Sequence, residues 1–358
     1  MLAPDATLLV TGGAGFIGSA LVRELLDTTD HTVVTLDALT YAGHLASLED
    51  VLDHPRHTFV RGDVADETTV DAAFAEHRPD AVLHLAAESH VDRSIDGPAE
   101  FLRSNVTGTF VLLQAARAAW GERRDVRFVH VSTDEVFGSL DPNDPPFRPK
   151  TRYDPRSPYA ASKAASDHLA RAWLHTYRLP TLVTNCANNY GPRQHPEKLV
   201  PTLIRKAAAG RELPIYGDGG QVRDWLHVRD HARGLTAAVQ RGTPGTTYLF
   251  GARTERTNLQ VAEAVCEAMN ELHPDRAPHD RRIRHVDDRP GHDRRYAIDP
   301  SAAETELDWR PESTFRDGIR ATIDWYLRNE AWTRTVLDGS DDLPRLGTAI
   351  AGDECVTR

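Results

Sequence analysis

The first half of the chain alternates short apolar runs with longer stretches of helical periodicity. Apolar runs that predict strands are Thr7–Thr11, Thr32–Asp37, His57–Arg61, Ala81–Leu85, Arg127–Ser132 and Pro180–Cys186. Helical patterns between them are Gly15–Thr28, Asp66–His77, Pro98–Ala119 and Ser157–Tyr177. Strands that alternate with helices indicate βαβ units, and Val/Leu-rich runs without alternation are typical of strands buried on both faces. The pattern therefore predicts an α/β fold with a doubly wound parallel sheet.

The pattern changes after Cys186. Residues 188–230 are rich in Pro, Gly and charge, which predicts an irregular lobe with a short helix near Lys198–Ala209. Helical periodicity returns at Asn258–Leu272 and Thr314–Asn329. We therefore expect a smaller C-terminal α+β lobe beside the main sheet.

Composition narrows the possible partners and compartment. Acidic residues outnumber basic ones by 53 to 42, and no basic stretch indicates nucleic-acid binding. The three cysteines form no pair or Cys/His cluster with zinc spacing, so we expect no metal site and a reducing compartment. No signal-peptide pattern and no apolar run of membrane-spanning length is seen. We expect a cytoplasmic protein with no membrane partner.

A glycine-rich turn follows the first predicted strand. It reads Thr11-Gly-Gly-Ala-Gly-Phe-Ile-Gly18 and satisfies G-x-G-x-x-G. Glycines there permit a tight turn, a close approach of backbone to a pyrophosphate, and free N–H groups at the helix start. An ordinary loop is the alternative, but the flanking strand and helix, and Asp37 at the end of the next strand, favour a dinucleotide site. Because a carboxylate at Asp37 repels a 2′-phosphate, we predict NAD over NADP.

The chain is predicted to consist of two domains and a tail. Residues 1–187 are predicted to be an NAD-binding Rossmann domain, with a later return near residues 223–250. Residues 188–333 are predicted to be mainly the substrate lobe. Residues 334–358 show no clear period, and we expect a mobile tail.

Tyr159 and Lys163 are four residues apart in a predicted helix, so they lie on one face. A solvated helix face is the alternative interpretation. Downstream of a dinucleotide turn, the pair indicates catalysis: a nearby ammonium and the positive nicotinamide favour the phenolate, which then accepts a proton from a substrate hydroxyl.

Two adjacent carboxyl groups follow the strand Arg127–Ser132. Thr133, Asp134 and Glu135 should face the ligand, since ligands bind beyond the carboxyl ends of such strands. Alcohol oxidation alone needs no carboxyl pair, so the pair indicates further proton transfers, with one acid protonated and the other ionised. A solvated turn is the alternative.

Longer motifs resemble a known family. The glycine turn, Asp37, Tyr159 and Lys163 are similar to the extended short-chain dehydrogenase/reductases, and the longer segments resemble the dTDP-glucose 4,6-dehydratases. Those segments are Leu85–Ile95, Ser132–Gly138, Asn188–Pro192, Pro196–Leu199, Gln221–His227 and Asp288–Asp299. The similarity runs from about Leu8 to Asn329.

The resemblance implies a catalytic cycle. Tyr159, helped by Lys163 and Thr133, takes the proton of the sugar 4-hydroxyl while hydride passes from C4 to NAD. Glu135 then removes the C5 proton and Asp134 protonates the departing 6-hydroxyl. Water leaves to give a 4-keto-5,6-ene, hydride returns to C6 and C5 is reprotonated. NAD is thereby regenerated and is expected to stay tightly bound.

The resemblance also implies binding residues. Those for the cofactor are Gly12, Gly15, Phe16, Ile17, Gly18, Asp37, Ala38, Leu39, Thr40, Asp63, Val64, Leu85, Ala86, Ala87, Ser104, Tyr159, Lys163 and Asn189. Those for the sugar nucleotide are Ser89, Thr133, Asn188, Lys198, Leu199, Pro214, Tyr216, Arg223, Asn258, Arg289 and His292. A homodimer through the helices at residues 98–119 and 157–177 is implied as well.

Other functions stay open at this point. A UDP-sugar 4,6-dehydratase or another nucleotide-sugar epimerase or dehydratase shares most of these features, although the Asp134–Glu135 pair speaks against an epimerase. A non-catalytic NAD-binding sensor is a more distant alternative, because such proteins usually lose the Tyr or Lys that this chain keeps.

Overall fold

The structure is a computed structural model and describes residues 2–288 and 291–338. The strands in those ranges are β1 Thr7–Thr11, β2 Thr32–Asp37, β3 His57–Arg61, β4 Ala81–His84, β5 Arg127–Thr133, β6 Thr181–Cys186, β7 Asn188–Tyr190, β8 Leu213–Tyr216, β9 Val222–His227, β10 Thr247–Phe250, β11 Glu255–Thr257 and β12 Ile283–Val286. The helices are α1 Phe16–Thr28, α2 Glu67–His77, α3 Val91–Asp96, α4 Pro98–Phe101, α5 Gly108–Trp120, α6 Pro158–Tyr177, α7 Leu199–Ala208, α8 Val228–Arg241, α9 Asn258–Leu272, α10 Ser301–Glu306, α11 Phe315–Arg328 and α12 Glu330–Val336.

Seven strands form one parallel sheet in the order β10-β6-β5-β4-β1-β2-β3. The order reverses beside β1, where Val10 pairs with Thr35 on one side and Leu83 on the other. Ligands of doubly wound sheets bind at such a switch point, beyond the carboxyl ends of the strands. The predicted α/β Rossmann-type fold is confirmed.

Both faces of this sheet are covered, as the apolar strands required. Leu8 and Val10 point into a core shared with α1 and α8, whereas Leu9 points into a second core shared with α2 and α5. All seven residues of β5 are buried. Because the sheet is fixed on both faces, the strand ends at the switch point are rigid supports for the loops that follow them.

The lobe contains more regular structure than we predicted. Residues 188–230 were expected to be irregular apart from one helix, yet they include β7, β8 and β9 as well as α7. These strands have only three to six residues, and their partners are often distant: β8 pairs with β12, and β9 with both β7 and β11. Short strands with such partners leave little local periodicity, which is why the pattern missed them.

The lobe has its own apolar core, built from α7, α9 and α11 around Leu203, Val265 and Ile323. After β9 the chain returns to the large domain: α8 packs on α1, and β10 pairs with β6 at the sheet edge. This return lies within the predicted range 223–250.

The helix predicted at Pro98–Ala119 is present with nearly these bounds, but it contains a π-helical turn at Leu102–Thr107. One predicted boundary was wrong. The tail was predicted to begin at residue 334, which is too early. Helix α12 extends to Val336, and its Trp332 and Val336 pack against the lobe core. The rest of the expected tail, residues 339–358, lies outside the described residues. No helix of the described part is long and apolar enough to cross a membrane.

Candidate active site

One cleft lies at the carboxyl ends of the central strands, between the sheet and the start of the lobe. It gathers most of the predicted site residues from distant parts of the chain. Those that line it are Gly12, Gly15, Phe16, Ile17, Gly18, Asp37, Ala38, Thr40, Asp63, Val64, Leu85, Ala86, Ala87, Ser89, Ser104, Thr133, Asp134, Glu135, Tyr159, Lys163, Asn188, Asn189 and Lys198.

The glycine turn fits a bound pyrophosphate. A Cβ added to Gly18 would lie 2.1 Å from the carbonyl oxygen of Gly12, and one added to Gly12 would lie 2.7 Å from the nitrogen of Ala86. Gly12 also has a φ of 71°, which a residue with a side chain adopts rarely. The N-cap of α1 is Gly15, which has no capping side chain, so the first N–H groups of α1 are open to an anion.

Asp37 is buried at the end of β2 and is held by the backbone on both sides. Its Oδ2 accepts from the Ala14 N–H at 2.9 Å, and its Oδ1 accepts from the Leu39 N–H at 2.8 Å. Burial raises its pKa, and these two hydrogen bonds oppose the rise. The remaining lone pairs of the carboxylate suit the ribose hydroxyls of NAD. Leu39 does not line the cleft; it contributes its N–H to Asp37 and packs on the sheet core.

Tyr159 and Lys163 enter the cleft from the first turns of α6. This helix starts where Ser157 caps it, its Oγ accepting from the Ala160 N–H at 3.1 Å. The Lys163 Nζ donates to the Val131 carbonyl of β5 at 2.8 Å. Burial lowers the pKa of Lys163 to about 8.

The pKa of Tyr159 is not lowered, as the neighbouring Lys163 alone would predict. Burial and then the charge of Glu135 raise the pKa of Tyr159 well above its ordinary value, while a hydrogen bond with Thr133 opposes the rise. The spacing of Tyr159 and Lys163 indicates the neighbouring ammonium. It does not indicate the cost of placing a phenolate in a buried cleft.

The two adjacent carboxyl groups have different surroundings. Asp134 is buried, and burial followed by the charge of Glu135 raises its pKa well above the ordinary value. Glu135 is half-buried, and its N–H donates to Thr133 Oγ1 at 3.2 Å. Thr133 Oγ1 also lies 3.4 Å from Asp134 Oδ1. The site therefore combines a carboxyl group that favours its protonated form with a second, more exposed one.

Several predicted substrate residues do not line the cleft of the described structure. Leu199, Pro214, Tyr216, Asn258 and His292 lie elsewhere in the lobe, and Arg289 lies outside the described residues. Arg223 does not line the cleft either, but it is near enough to Asp134 that its charge opposes the rise of the Asp134 pKa. Arg223 is buried, with its guanidinium 4.1 Å from the ring centre of Tyr296 and a hydrogen bond of 2.9 Å to the Asp293 carbonyl. His292 Nδ1 lies 2.6 Å from Asp288. Their role toward a sugar nucleotide stays a prediction.

The cleft also contains charged residues that we did not select from the sequence. Glu197 is almost fully buried beside Arg93 at 3.6 Å and Lys198 at 3.8 Å, and burial raises its pKa. His195 lines the same wall, and burial lowers its pKa to about 3. Glu197 immediately precedes the selected Lys198, so the segment Pro196–Leu199 contained the signal.

Comparisons with known proteins agree with this geometry. Residues 9–322 match the family model described as GDP-mannose 4,6 dehydratase. A dTDP-glucose 4,6-dehydratase of Neisseria meningitidis is 52% identical over 350 residues, covering 95% of this chain and 99% of the relative. The dTDP-glucose 4,6-dehydratase 1 of Escherichia coli is 51% identical over 346 residues, covering 93% of this chain and 96% of the relative.

Solved structures show the same fold. A dTDP-glucose 4,6-dehydratase from Streptomyces venezuelae, solved with NAD and TYD bound, is 45% identical with a TM-score of 0.85 and covers 92% of this chain and 99% of its own. The UDP-glucose 4-epimerase of Thermus thermophilus, in complex with NAD, is 32% identical with a TM-score of 0.81 and covers 90% of this chain and 99% of its own. The chain belongs to the nucleotide-sugar 4,6-dehydratase family that these matches define.

Proposed function

We propose that this chain is a hydro-lyase that converts dTDP-glucose to dTDP-4-keto-6-deoxyglucose. The observation that carries the proposal is the meeting of two proton-transfer sets in one cleft: Tyr159 with Lys163, and Asp134 with Glu135. Oxidation of an alcohol uses only the first set. Loss of water across two neighbouring carbons needs a base at one carbon and an acid at the leaving hydroxyl, which the second set provides.

The cofactor is NAD, held by the glycine turn and Asp37. When bound, the cofactor would supply a hydride acceptor for C4, the same hydride for C6, and the positive charge of its nicotinamide ring. The carboxylate of Asp37, fixed by the Ala14 and Leu39 N–H groups, discriminates against a 2′-phosphate.

Tyr159 takes the proton from the sugar 4-hydroxyl. Burial makes its phenolate unfavourable, so the transfer depends on local stabilisation. The hydrogen bond with Thr133 supplies part of that stabilisation. In this proposal the ammonium of Lys163, one helical turn from Tyr159, supplies the rest together with the nicotinamide charge. Because Lys163 is anchored to the Val131 carbonyl, its charge is held in place during the transfer.

The carboxyl pair then removes water. Glu135 is the more exposed member, and it accepts the C5 proton that the 4-keto group has made acidic. Asp134 keeps its proton because burial and the charge of Glu135 disfavour its ionised form, so it delivers that proton to the departing 6-hydroxyl.

A UDP-sugar dehydratase or a 4-epimerase is the nearest alternative. The fold does not discriminate, since the epimerase of Thermus thermophilus has nearly the same TM-score as the dehydratase of Streptomyces venezuelae. The Asp134–Glu135 pair favours dehydration, because an epimerase moves no proton at C5 and releases no water. The choice of dTDP over UDP follows the names of the relatives.

A homodimer forms through α5 and α6 in this proposal. The support is an apolar surface along these helices, where Phe110 and Tyr177 are exposed together with Leu102 in the π-helical turn. Such side chains are typical of a protein–protein interface. A cytoplasmic location stays a prediction from cysteine usage.

The direct test is an assay of the purified protein with dTDP-glucose and, in parallel, UDP-glucose. A 4-keto sugar is detected by the absorbance it develops in alkali. We expect product from dTDP-glucose without added NAD. Folded, NAD-loaded protein that makes no 4-keto product from either sugar nucleotide would overturn the proposal, and product from UDP-glucose alone would correct the substrate.

A further inference from the structure

A third carboxyl group, that of Asp167, lies behind Tyr159 and Lys163 and outside the cleft. Asp167 follows Lys163 by four residues on α6, just as Lys163 follows Tyr159, so the three side chains share one face of the helix. The side chain of Asp167 is fully buried. Asp167 does not touch the cleft, so the proposed proton transfers do not use it.

Asp167 is held by partners from three other parts of the chain. The Tyr153 hydroxyl donates to its Oδ2 at 2.7 Å, and Asn185 Nδ2 on β6 lies 3.4 Å from the same oxygen. His130 Nε2 on β5 lies 3.1 Å from Oδ1. Arg171, a further turn along α6, donates to the Tyr153 hydroxyl at 2.7 Å. This set of contacts fixes the carboxylate in one orientation.

The same contacts reach the catalytic strand. Asn185 Nδ2 donates to the Thr133 carbonyl at 2.9 Å while it faces Asp167. Lys163 Nζ donates to the Val131 carbonyl of the same strand at 2.8 Å. Asp167 is therefore linked through Asn185 to the strand at Thr133, and it lies on the same helix face as Lys163, which binds the strand at Val131.

Charge explains why a carboxylate is buried here. Burial alone would raise the pKa of Asp167. The His130 hydrogen bond and the Lys163 charge nevertheless hold that pKa below its ordinary value, so the carboxyl group is ionised. Burial lowers the pKa of His130 to about 4, so this imidazole is neutral at pH 7. The charge of Asp167 in turn opposes the lowering of the Lys163 pKa. The buried charges that balance here are those of Lys163 and Asp167.

The groups that face this pair come from every element packed around it. They are His84 on β4, His130 on β5, Asn185 and Cys186 on β6, Tyr153 before α6, Tyr159 and Arg171 on α6, and Asp134 and Glu135 on the cleft side. Burial lowers the pKa of His84 and raises that of Cys186, so both are neutral at pH 7. Asp134 and Glu135 lie on the cleft side, whereas Asp167 is the carboxylate on the core side of Lys163.

We propose that Asp167 is a positioning residue for the oxidation at C4, where its buried negative charge keeps Lys163 an ammonium ion in place behind Tyr159. The inference rests on the proposed function, since it concerns the step in which Tyr159 takes the 4-hydroxyl proton. Lys163 must be a cation for that step, and it loses its proton as the pH rises. Removal of the Asp167 charge therefore makes Lys163 lose its proton at a lower pH.

The test isolates oxidation from dehydration. dTDP-6-deoxyglucose has a hydroxyl at C4 but none at C6, so Asp134 and Glu135 have no water to remove. The rate at which NADH absorbance appears after mixing with the full-length, NAD-loaded protein is measured between pH 6 and pH 9. For Asp167→Asn we expect the fall in rate at alkaline pH to move down by about one pH unit. We expect a rate near wild type at pH 6, roughly fivefold lower than wild type at pH 8 and roughly tenfold lower at pH 9.

Matched variants separate charge from structure. Tyr153→Phe removes the shortest hydrogen bond to Asp167 but leaves its charge, so the alkaline limb should stay within about 0.3 pH units of wild type. Asp167→Glu keeps the charge and should also keep that limb, even where the maximal rate falls. If Asp167→Asn does not fold, Asp167→Glu tests the role of the charge by itself. A fall in rate displaced by about one pH unit in Asp167→Glu would contradict that role, because this variant keeps the charge.

The results that overturn the proposal are distinct from failure of the proposed function. An Asp167→Asn rate lowered equally at every pH would assign the residue a purely structural role. A profile identical to wild type would remove it from the reaction. If wild-type protein produces no NADH absorbance with dTDP-6-deoxyglucose and no 4-keto product from dTDP-glucose, the proposed function itself has failed.

Discussion

The seven-stranded sheet and the C-terminal lobe differ in whether their paired strands follow one another along the chain. In the sheet, β1, β2 and β3 are successive neighbours, as are β4, β5 and β6. In the lobe, β8 pairs with β12 about 70 residues later, starting with Leu213 opposite Ile283. Each sheet strand is recognisable from its own apolar run. A lobe strand is short and pairs with a strand that does not follow it directly in the chain.

The two regions also contribute different chemistry. The sheet contributes the ends of its strands, so the glycine turn, Asp37 and Thr133 to Glu135 are placed by rigid supports. The lobe contributes charged residues such as Glu197 and Lys198 to the opposite wall of the cleft. This contrast suggests that changes in the sheet half act on chemistry and cofactor, whereas changes in the lobe act first on stability.

The largest effect is expected at the catalytic helix of the sheet half. Tyr159→Phe removes the proton acceptor, and we expect kcat with dTDP-glucose to fall by roughly 10²–10⁴-fold, the usual contribution of a positioned acid or base. NAD content after purification should not change. Tyr177→Phe on the same helix is the control: it keeps the aromatic ring that the proposed dimer interface uses, so it should keep the wild-type kcat. Wild-type turnover in Tyr159→Phe would refute the assignment.

The next effect probes the lobe at its contact with the sheet half. Trp332 is buried against Trp325 and Tyr326, and its Nε1 lies 3.3 Å from Ser47 Oγ in the loop after β2. Trp332→Ala should lower the free energy of unfolding by about 3–5 kcal/mol, measured by urea titration.

Arg334→Ala on the same helix is the matched control for the tryptophan. Arg334 is exposed beside Glu330, so its loss should change the free energy of unfolding by less than about 0.5 kcal/mol. Equal effects of the two substitutions would mean that α12 is not packed as described, and the contrast between lobe and sheet would lose its support.

A smaller effect is expected at the glycine turn. Gly18→Ala places a Cβ against the Gly12 carbonyl, so the turn must shift, at a cost of about 1–3 kcal/mol. Because the shifted backbone is the one that faces the cofactor, bound NAD measured by absorbance after gel filtration should fall. Gly97→Ala, whose Cβ would have only the Arg93 carbonyl within 4 Å, at 3.8 Å, should keep its NAD. Full NAD occupancy in Gly18→Ala would contradict the placement of the cofactor.

The smallest effect concerns pH and stability. The pKa of Asp134 is raised in the folded protein, so its contribution to stability is present at acidic pH and is lost as the pH rises through that pKa. Asp134→Asn should therefore raise the free energy of unfolding at pH 8 by about 0.5–2 kcal/mol while abolishing dehydration, with little difference at pH 4. Asp27→Asn on the exposed face of α1 should show no such gain. A variant less stable than wild type at pH 8 would contradict the burial argument.

The sequence predicted the sheet and the cofactor turn well because their signals are local. The strand at Thr7–Thr11, the glycines after it and the carboxylate at Asp37 are each visible within a few residues. The spacing of Tyr159 and Lys163 on one helix face is equally local. These residues meet in the cleft as expected.

Other features depend on three-dimensional neighbours that the sequence does not show. The pKa of Tyr159 is governed by burial, which the spacing to Lys163 does not indicate. The support that Asp167 receives comes from β5, β6 and the segment before α6. Arg223 packs on Tyr296, about 70 residues later, and its charge acts on Asp134, and neither neighbour is visible in the segment around Arg223.

The central claim is that one cleft oxidises C4, removes water and returns the same hydride to C6. The most direct measurement uses dTDP-glucose carrying deuterium at C4, incubated with the protein as purified and without added NAD. The account predicts a 4-keto-6-deoxy product with the deuterium at C6. Deuterium lost to solvent, or NADH accumulating in proportion to product, would contradict it.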